Sequence, residues 1–168
     1  MKKIFYTVLA FALAVCLAGC GASQPQQGDD PGTEAAEGFR VTCNGVPISL
    51  KADATPILAA LGEPKNYTEQ TSCAFEGLDK TYFYGSFYLT TYPMDGKDYV
   101  YSLWFADDSV STPEGIRIGS PQAEVERVWG AECFNGTNAY ILTKGDTKLT
   151  ILMDKGAVSS IQYTLVLQ

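Results

Sequence analysis

The chain has 168 residues, of which 46% are hydrophobic, and its 12 basic and 19 acidic residues give a net charge of −7 at pH 7. An acidic chain has no electrostatic attraction for nucleic acid, which is bound through clustered lysine and arginine. There is no histidine, which excludes Ser-His-Asp and Cys-His catalysis and zinc sites built on histidine. We therefore expect a protein that is not an enzyme and that holds no cofactor or metal ion.

The first 20 residues are predicted to form a secretory signal followed by a lipidation site. Lys2 and Lys3 precede an apolar run from Ile4 to Ala18, and a small Leu-Ala-Gly segment ends directly before Cys20. This order is typical of a secretory signal, and the run is shorter than the roughly 20 residues of a membrane-spanning helix. Leu-Ala-Gly-Cys resembles the lipobox of bacterial lipoproteins, which implies cleavage after residue 19 and lipidation of Cys20.

Cleavage of residues 1–19 would remove Lys2 and Lys3 and keep all 19 acidic residues, so the net charge would fall from −7 to −9. Anionic lipids repel such a chain, so its membrane attachment must come from acyl chains, at roughly 0.8 kcal/mol per buried CH₂ group. We expect the protein to be lipid-anchored on the extracytoplasmic face of the cell membrane. Residues 20–38 lack aromatic and branched aliphatic side chains and are predicted to form a disordered tether.

Two short helices are predicted in the domain that covers residues 39–168. In the first, four apolar residues recur at the spacing of one helix face: Ala54, Ile57, Leu58 and Leu61. The second shows the same pattern at Val125, Val128 and Trp129. Ser120 is its expected N-cap and Pro121 its first helical residue, and Gly62 and Gly130 occupy the positions where a left-handed C-cap is expected.

A two-residue period follows each helix and predicts strands at residues 73–76, 81–91 and 99–106, and again at 139–143, 148–153 and 158–166. Glycine-containing turns separate several of these segments, as in β-hairpins. The predicted fold class is α+β. It is a tandem repeat of one short helix plus a three-stranded antiparallel meander, in halves of about 45–110 and 115–166, with the helices packed on one face of the sheet.

This tandem unit resembles the β-lactamase inhibitory protein fold, and the single unit is similar to the SmpA/OmlA outer-membrane assembly lipoproteins. Residues 72–82, 91–93, 107–110 and 112–116 also resemble segments of small Firmicutes lipoproteins of unassigned function. The resemblance covers roughly residues 45–166 and implies a non-enzymatic, protein-binding surface on an open sheet. No inhibitory residue matches position by position, so the resemblance does not imply β-lactamase inhibition.

Aromatic residues are concentrated between Tyr82 and Phe105, where ten of 24 residues are Phe, Tyr or Trp. Strict alternation would place Tyr99 and Tyr101 on one sheet face with Leu103 and Phe105. An open face rich in tyrosine offers a wide contact area with polar tips, whereas the alternative is cross-strand pairs that only stabilise the sheet. The candidate binding residues are Tyr82, Tyr84, Tyr88, Tyr99, Tyr101 and Trp104.

Five cysteines are present. Cys16 is expected to leave with the signal and Cys20 to carry lipid, so Cys43, Cys73 and Cys133 remain. A disulfide is permitted outside the cytoplasm, and three cysteines always leave one thiol unpaired. We favour a Cys43–Cys73 bridge only slightly over three free thiols.

The predicted function is a membrane-anchored lipoprotein that binds another envelope or extracellular protein without catalysis. One alternative is a peptide or small-molecule site in a pocket between helices and sheet. A second is a hydrolase built on two carboxylates in a cleft, although no spacing of acids indicates such a pair. Asp107 and Asp108, with Asp95 and Asp98 nearby, could form a loose calcium site, but they lack the spacing of a calcium-binding loop.

Overall fold

A computed structural model describes residues 38–166 of the chain. The predicted signal peptide, the lipidation site at Cys20 and all but the last residue of the predicted tether lie outside the described residues. Within residues 38–166 no helix is both long enough and apolar enough to cross a membrane. The regular elements are β1 Arg40–Cys43, β2 Val46–Ser49, α1 Ala54–Leu61, β3 Asn66–Thr71, β4 Leu78–Phe83, β5 Phe87–Met94, β6 Lys97–Phe105, α2 Gln122–Trp129, a 3₁₀ helix Ala131–Cys133, β7 Ala139–Lys144, β8 Thr147–Asp154 and β9 Ala157–Leu165.

Strands β3 to β9 form one antiparallel sheet in the order β3-β4-β5-β6-β9-β8-β7, and β1 and β2 form a separate hairpin. The two meanders meet at the centre of the sheet, where residues Ser102–Trp104 of β6 pair with residues 162–164 of β9. The first half of β6 does not pair with β9. At that edge it pairs with the segment that leads into α1. The Lys51 amide donates to the Val100 carbonyl at 2.9 Å, and the Val100 amide donates to the Ala52 carbonyl at 3.0 Å. These bonds attach α1 to the sheet.

One face of the sheet carries the hydrophobic core. A row of register partners crosses four strands from Leu89 through Leu103 and Tyr163 to Leu149, and none of the four is more than 1% exposed. The β1–β2 hairpin and both helices contribute buried residues to the same core cluster. On α2, Glu126 accepts a hydrogen bond of 2.8 Å from the hydroxyl of Tyr140 in β7. The hairpin and the helices therefore cover one face, which we call the core face, and we call the opposite side the outer face.

The predicted tandem repeat of one helix and a three-stranded meander is wrong. The chain is mainly β, and α1 is preceded by a hairpin and followed by four sheet strands. Residues 73–76 form a loop, and the strand predicted at 81–91 is divided between β4 and β5 by a turn. The additional strand β3 was missed because all six of its residues are exposed at the sheet edge. Such a strand has no buried side, and so it carries no hydrophobic alternation.

Both predicted helices are confirmed, and strands β6 to β9 correspond to the remaining predicted strands. Gly62 and Gly130 end the helices with φ of 75° and 85°, a backbone conformation that glycine adopts without strain. The start of α2 differs from the prediction by one residue. Pro121 is the N-cap and makes no side-chain capping bond. The Ser120 hydroxyl instead accepts a hydrogen bond of 3.2 Å from the Arg117 amide.

Asp53 is the N-cap of α1 and also connects the helix to β6. One carboxylate oxygen accepts from the Thr55 amide at 2.9 Å, and the other accepts from the Lys97 ammonium at 3.0 Å. These two hydrogen bonds lower the pKa of Asp53 from 3.8 to about 2, and the bond from Thr55 has the larger effect. Both bonds favour the charged carboxylate over the neutral acid.

We expect Asp53→Ala to destabilise the fold, because the Thr55 amide loses its acceptor and Lys97 its partner. A carboxyl group with a lowered pKa stabilises the folded state above its ordinary pKa and loses that contribution as the pH falls through the folded value. The difference in urea midpoint between wild type and Asp53→Ala should therefore be constant near neutral pH and shrink from about pH 4 towards pH 2. A difference that is the same at pH 2 and at neutral pH would contradict a role for the charge.

Candidate functional site

A row of three aromatic side chains crosses the outer face of the sheet. Phe83 on β4, Tyr88 on β5 and Trp104 on β6 are successive register partners. The ring centroids of Phe83 and Tyr88 are 4.5 Å apart and those of Tyr88 and Trp104 are 5.5 Å apart, both in stacked arrangements. We call Phe83, Tyr88 and Trp104 the aromatic row.

The position of Trp104 follows from the alternation of β6. Its neighbours Leu103 and Phe105 are each 1% exposed, whereas Trp104 is 48% exposed, so its indole lies on the outer face. The indole Nε1 donates a 3.0 Å hydrogen bond to the hydroxyl of Ser160 on β9. This bond holds the most exposed ring of the row in one orientation.

Apolar side chains continue beyond the aromatic row towards the other edge of the sheet. Leu152 on β8 is the register partner of Ser160 and is 36% exposed. Ile141 on the edge strand β7 is 44% exposed. It lies in the same register row as Trp104, and Gln162 of β9 and Thr150 of β8 lie between them. This part of the outer face therefore presents scattered apolar groups among serine, threonine and glutamine, in addition to the aromatic row.

The six predicted binding residues do not lie together on one face of the sheet. Tyr88 and Trp104 belong to the aromatic row. Tyr82 lies on the core face as the register partner of Leu89 and packs against the core, and Tyr84 is 8% exposed within it. Tyr82 and Tyr84 are therefore not available to a partner on the outer face.

A β-bulge decides where Tyr99 and Tyr101 lie. The pairing of β5 with β6 shifts by one residue between Thr90 and Thr91, and this shift leaves Tyr101 unpaired with β5. Val100 is fully buried as a result, on the side of Leu103 and Phe105. The predicted placement of Tyr99 and Tyr101 on that side is wrong. Both tyrosines are half-buried and pack around Tyr92, with centroid distances of 5.9 and 6.3 Å.

Phe83 was not among the predicted residues, although it stacks on Tyr88. The signal that could have identified it is Gly85, whose φ of 95° marks the turn between β4 and β5. A glycine inside a run of alternating residues indicates a break in the strand. Alternation directs Phe83 to the face opposite Tyr82, and the turn at Gly85 brings it opposite Tyr88.

The three cysteines of the described region are all free thiols. Cys43 is buried in the core, and this burial raises its pKa from 9.0 to about 12. Cys73 is exposed in the loop between β3 and β4, and Cys133 is half-buried, with its thiol 3.2 Å from the Trp129 carbonyl. The predicted Cys43–Cys73 disulfide is absent from the structure, because one thiol lies within the core and the other lies at the surface.

Two of the four acidic residues considered for calcium binding make other contacts. Asp98 forms an ion pair of 2.7 Å with Lys80, and Asp107 accepts a 2.9 Å hydrogen bond from the Ser109 amide. Among residues 38–166 no group of three or more Asp, Glu or Cys side chains is placed to hold a metal ion. Asp98 therefore contributes to a contact between strands, and Asp107 contributes to a turn.

No protein-family model matches the sequence, and a search of curated proteins gives no match. Among solved structures, the chain is similar to a cysteine-rich secretory protein from Staphylococcus aureus subsp. aureus Mu50, with 13% sequence identity and a TM-score of 0.47. The match covers 69% of this chain and 43% of that protein, so the chain spans less than half of that protein's length.

Proposed function

We propose that this protein is a lipoprotein, anchored to the membrane through Cys20, that binds another envelope or extracellular protein without catalysis. The observation that carries the proposal is the aromatic row on the outer face, with Trp104 48% exposed at its end. Large aromatic side chains grouped on one surface are typical of protein-binding sites, whose hot spots are enriched in tryptophan and tyrosine.

The geometry of the row favours binding in a second way. The stacked rings and the Trp104–Ser160 hydrogen bond hold the aromatic side chains in place before any partner arrives. A side chain that is already ordered loses less conformational entropy on binding. Tyrosine and tryptophan also carry a polar tip, which remains compatible with water when the surface is unoccupied.

The test is a crosslinking pull-down from solubilised envelope of the native host, with the full-length chain as bait. Three baits are compared: the wild type, a Tyr88→Ala/Trp104→Ala variant, and Tyr67→Ala as a matched control. Tyr67 is 43% exposed but lies on edge strand β3, where it packs on Tyr82 of the core face. The control therefore removes an exposed aromatic ring without changing the aromatic row.

We expect one protein to be captured by the wild type and by Tyr67→Ala, and to be lost with the double variant. With that partner purified, the double variant should weaken binding by at least about thirtyfold, which corresponds to a hot-spot contribution of about 2 kcal/mol. Thermal melts of the three baits establish that each is folded. Equal capture by all three, or capture by none, would contradict the proposed function.

A further inference from the structure

A small depression lies at the other end of the outer face, where the loop between β3 and β4 folds over the sheet. Its cavity of about 170 Å³ is lined by loop residues, among them Ser72 and Phe75, and by the sheet residues Asp79, Tyr92 and Tyr101. We call it the loop pocket. None of the three residues of the aromatic row lines it, so it is a separate site.

Three aromatic rings line the loop pocket. Phe75 lies against Tyr92 with ring centroids 4.6 Å apart, and the Tyr101 ring lies 6.3 Å from Tyr92 at an interplanar angle of 78°. The face of an aromatic ring carries the negative part of the ring quadrupole, which attracts cations.

Hydrogen bonds within the loop fix the segment that carries Phe75. The Ser72 amide donates to the Gly77 carbonyl at 3.0 Å, and the Phe75 amide donates to the Ser72 hydroxyl at 3.2 Å. These bonds close the loop on itself and hold Phe75 above the sheet. The aromatic walls are therefore present before a ligand enters.

Asp79 supplies a negative charge to the same pocket. Its Oδ1 atom is enclosed and has no hydrogen-bond partner among the residues that the structure describes. The adjacent Lys80 does not compensate it, since its ammonium group is paired with Asp98 at 2.7 Å. An enclosed carboxylate oxygen without a hydrogen-bond donor keeps its negative charge uncompensated, and a cation beside it would offset that charge.

We propose that the loop pocket binds the quaternary ammonium group of a small organic cation such as choline. Aromatic faces together with one carboxylate are the chemistry that recognises alkylated ammonium groups. A calcium ion would need six to eight oxygen ligands, and the lining residues are mostly aromatic. A primary ammonium carries three hydrogen-bond donors, whereas a quaternary ammonium needs no acceptor. This site is independent of the proposed protein-binding function.

The test is a calorimetric titration of the full-length chain, purified in a non-ionic detergent without ammonium groups. Three ligands are compared: choline, its neutral carbon isostere dimethylbutanol, and propylammonium. We expect saturable binding of choline that is at least about tenfold tighter than that of either comparison ligand. Equal binding of dimethylbutanol would overturn the proposal, because the pocket would then select shape and not charge. Tighter binding of propylammonium, or no saturable binding of choline, would also overturn it.

Variants locate the site. Asp79→Asn keeps the side-chain shape and removes the charge, and it should weaken choline binding by at least about tenfold. Phe75→Leu removes one aromatic wall from an exposed loop and should weaken binding in the same direction. Trp104→Ala, the matched control, should leave choline binding unchanged even where it abolishes capture of a protein partner. Unchanged affinity in both pocket variants would overturn the proposal, whatever the outcome of the pull-down.

Discussion

Replacement of Ile151 by alanine is expected to lower the free energy of unfolding by about 2–5 kcal/mol, whereas the same change at the adjacent Leu152 should cost less than about 1 kcal/mol. Ile151 is fully buried on the core face, where its register partners Ile161 and Tyr140 are also fully buried. Alanine at this position would leave a cavity that the surrounding side chains cannot fill. Leu152 points to the outer face and is 36% exposed, so water can occupy the vacated space.

Urea denaturation of the two single variants beside the wild type measures this contrast. Both substitutions fall in the same strand and remove side chains of similar size, so each serves as the control for the other. The comparison also tests the register of β8, because a shift of one residue would exchange the two faces of the strand. Equal losses of stability, or a larger loss for Leu152→Ala, would contradict the assignment of the core and outer faces.

The three thiols of residues 38–166 are expected to differ widely in their reactivity towards an alkylating reagent in the folded protein. Burial raises the pKa of Cys43 from 9.0 to about 12, and the thiolate is the reactive species. At neutral pH the thiolate fraction of Cys43 is therefore about a thousandfold lower than at the ordinary pKa. Its position in the core also excludes the reagent. Cys73 is exposed and should react fully while Cys43 remains unmodified.

A short pulse of iodoacetamide on the native, unreduced protein, followed by mass spectrometry of each cysteine peptide, measures the three rates. The same pulse in urea is the control, since unfolding exposes Cys43 and should bring its rate close to that of Cys73. Native labelling of Cys43 at the rate of Cys73 would contradict its burial. Failure of both to react until a reductant is added would indicate that they form a disulfide, contrary to the structure.

Local sequence patterns were sufficient to predict both helices and strands β6 to β9, but not the arrangement of the strands in one seven-stranded sheet. Helix α1 follows from one apolar face and a closing glycine, and strands β6 to β9 follow from alternation between turns. The turn before β6 illustrates why this works. Asp95 and Gly96 have φ of 52° and 74°, the conformation of the hairpin turns that Asp-Gly favours. Such turns depend on two adjacent residues, so their chemistry is readable without knowledge of the rest of the chain.

The elements that were mispredicted depend on contacts between distant residues. Strand β3 is held only by its pairing with β4, and its exposed side chains carry no periodic signal. The division of residues 81–91 into two strands depends on the turn at Gly85. The bulge that turns Tyr99 and Tyr101 away from Leu103 is a property of the β5–β6 pair and of neither strand alone.

The sequence by itself determined the acidic charge. It also determined the two helices, strands β6 to β9 and the prediction of lipidation at Cys20, because each of these depends on residues close together in the chain. Only the tertiary structure decided which aromatic side chains share a face. Alternation gives the relative sides of residues within one regular strand, but the side that meets the core is set by register and packing. For this reason Phe83 joins Tyr88 and Trp104 on the outer face, while Tyr82 and Tyr84 pack in the core.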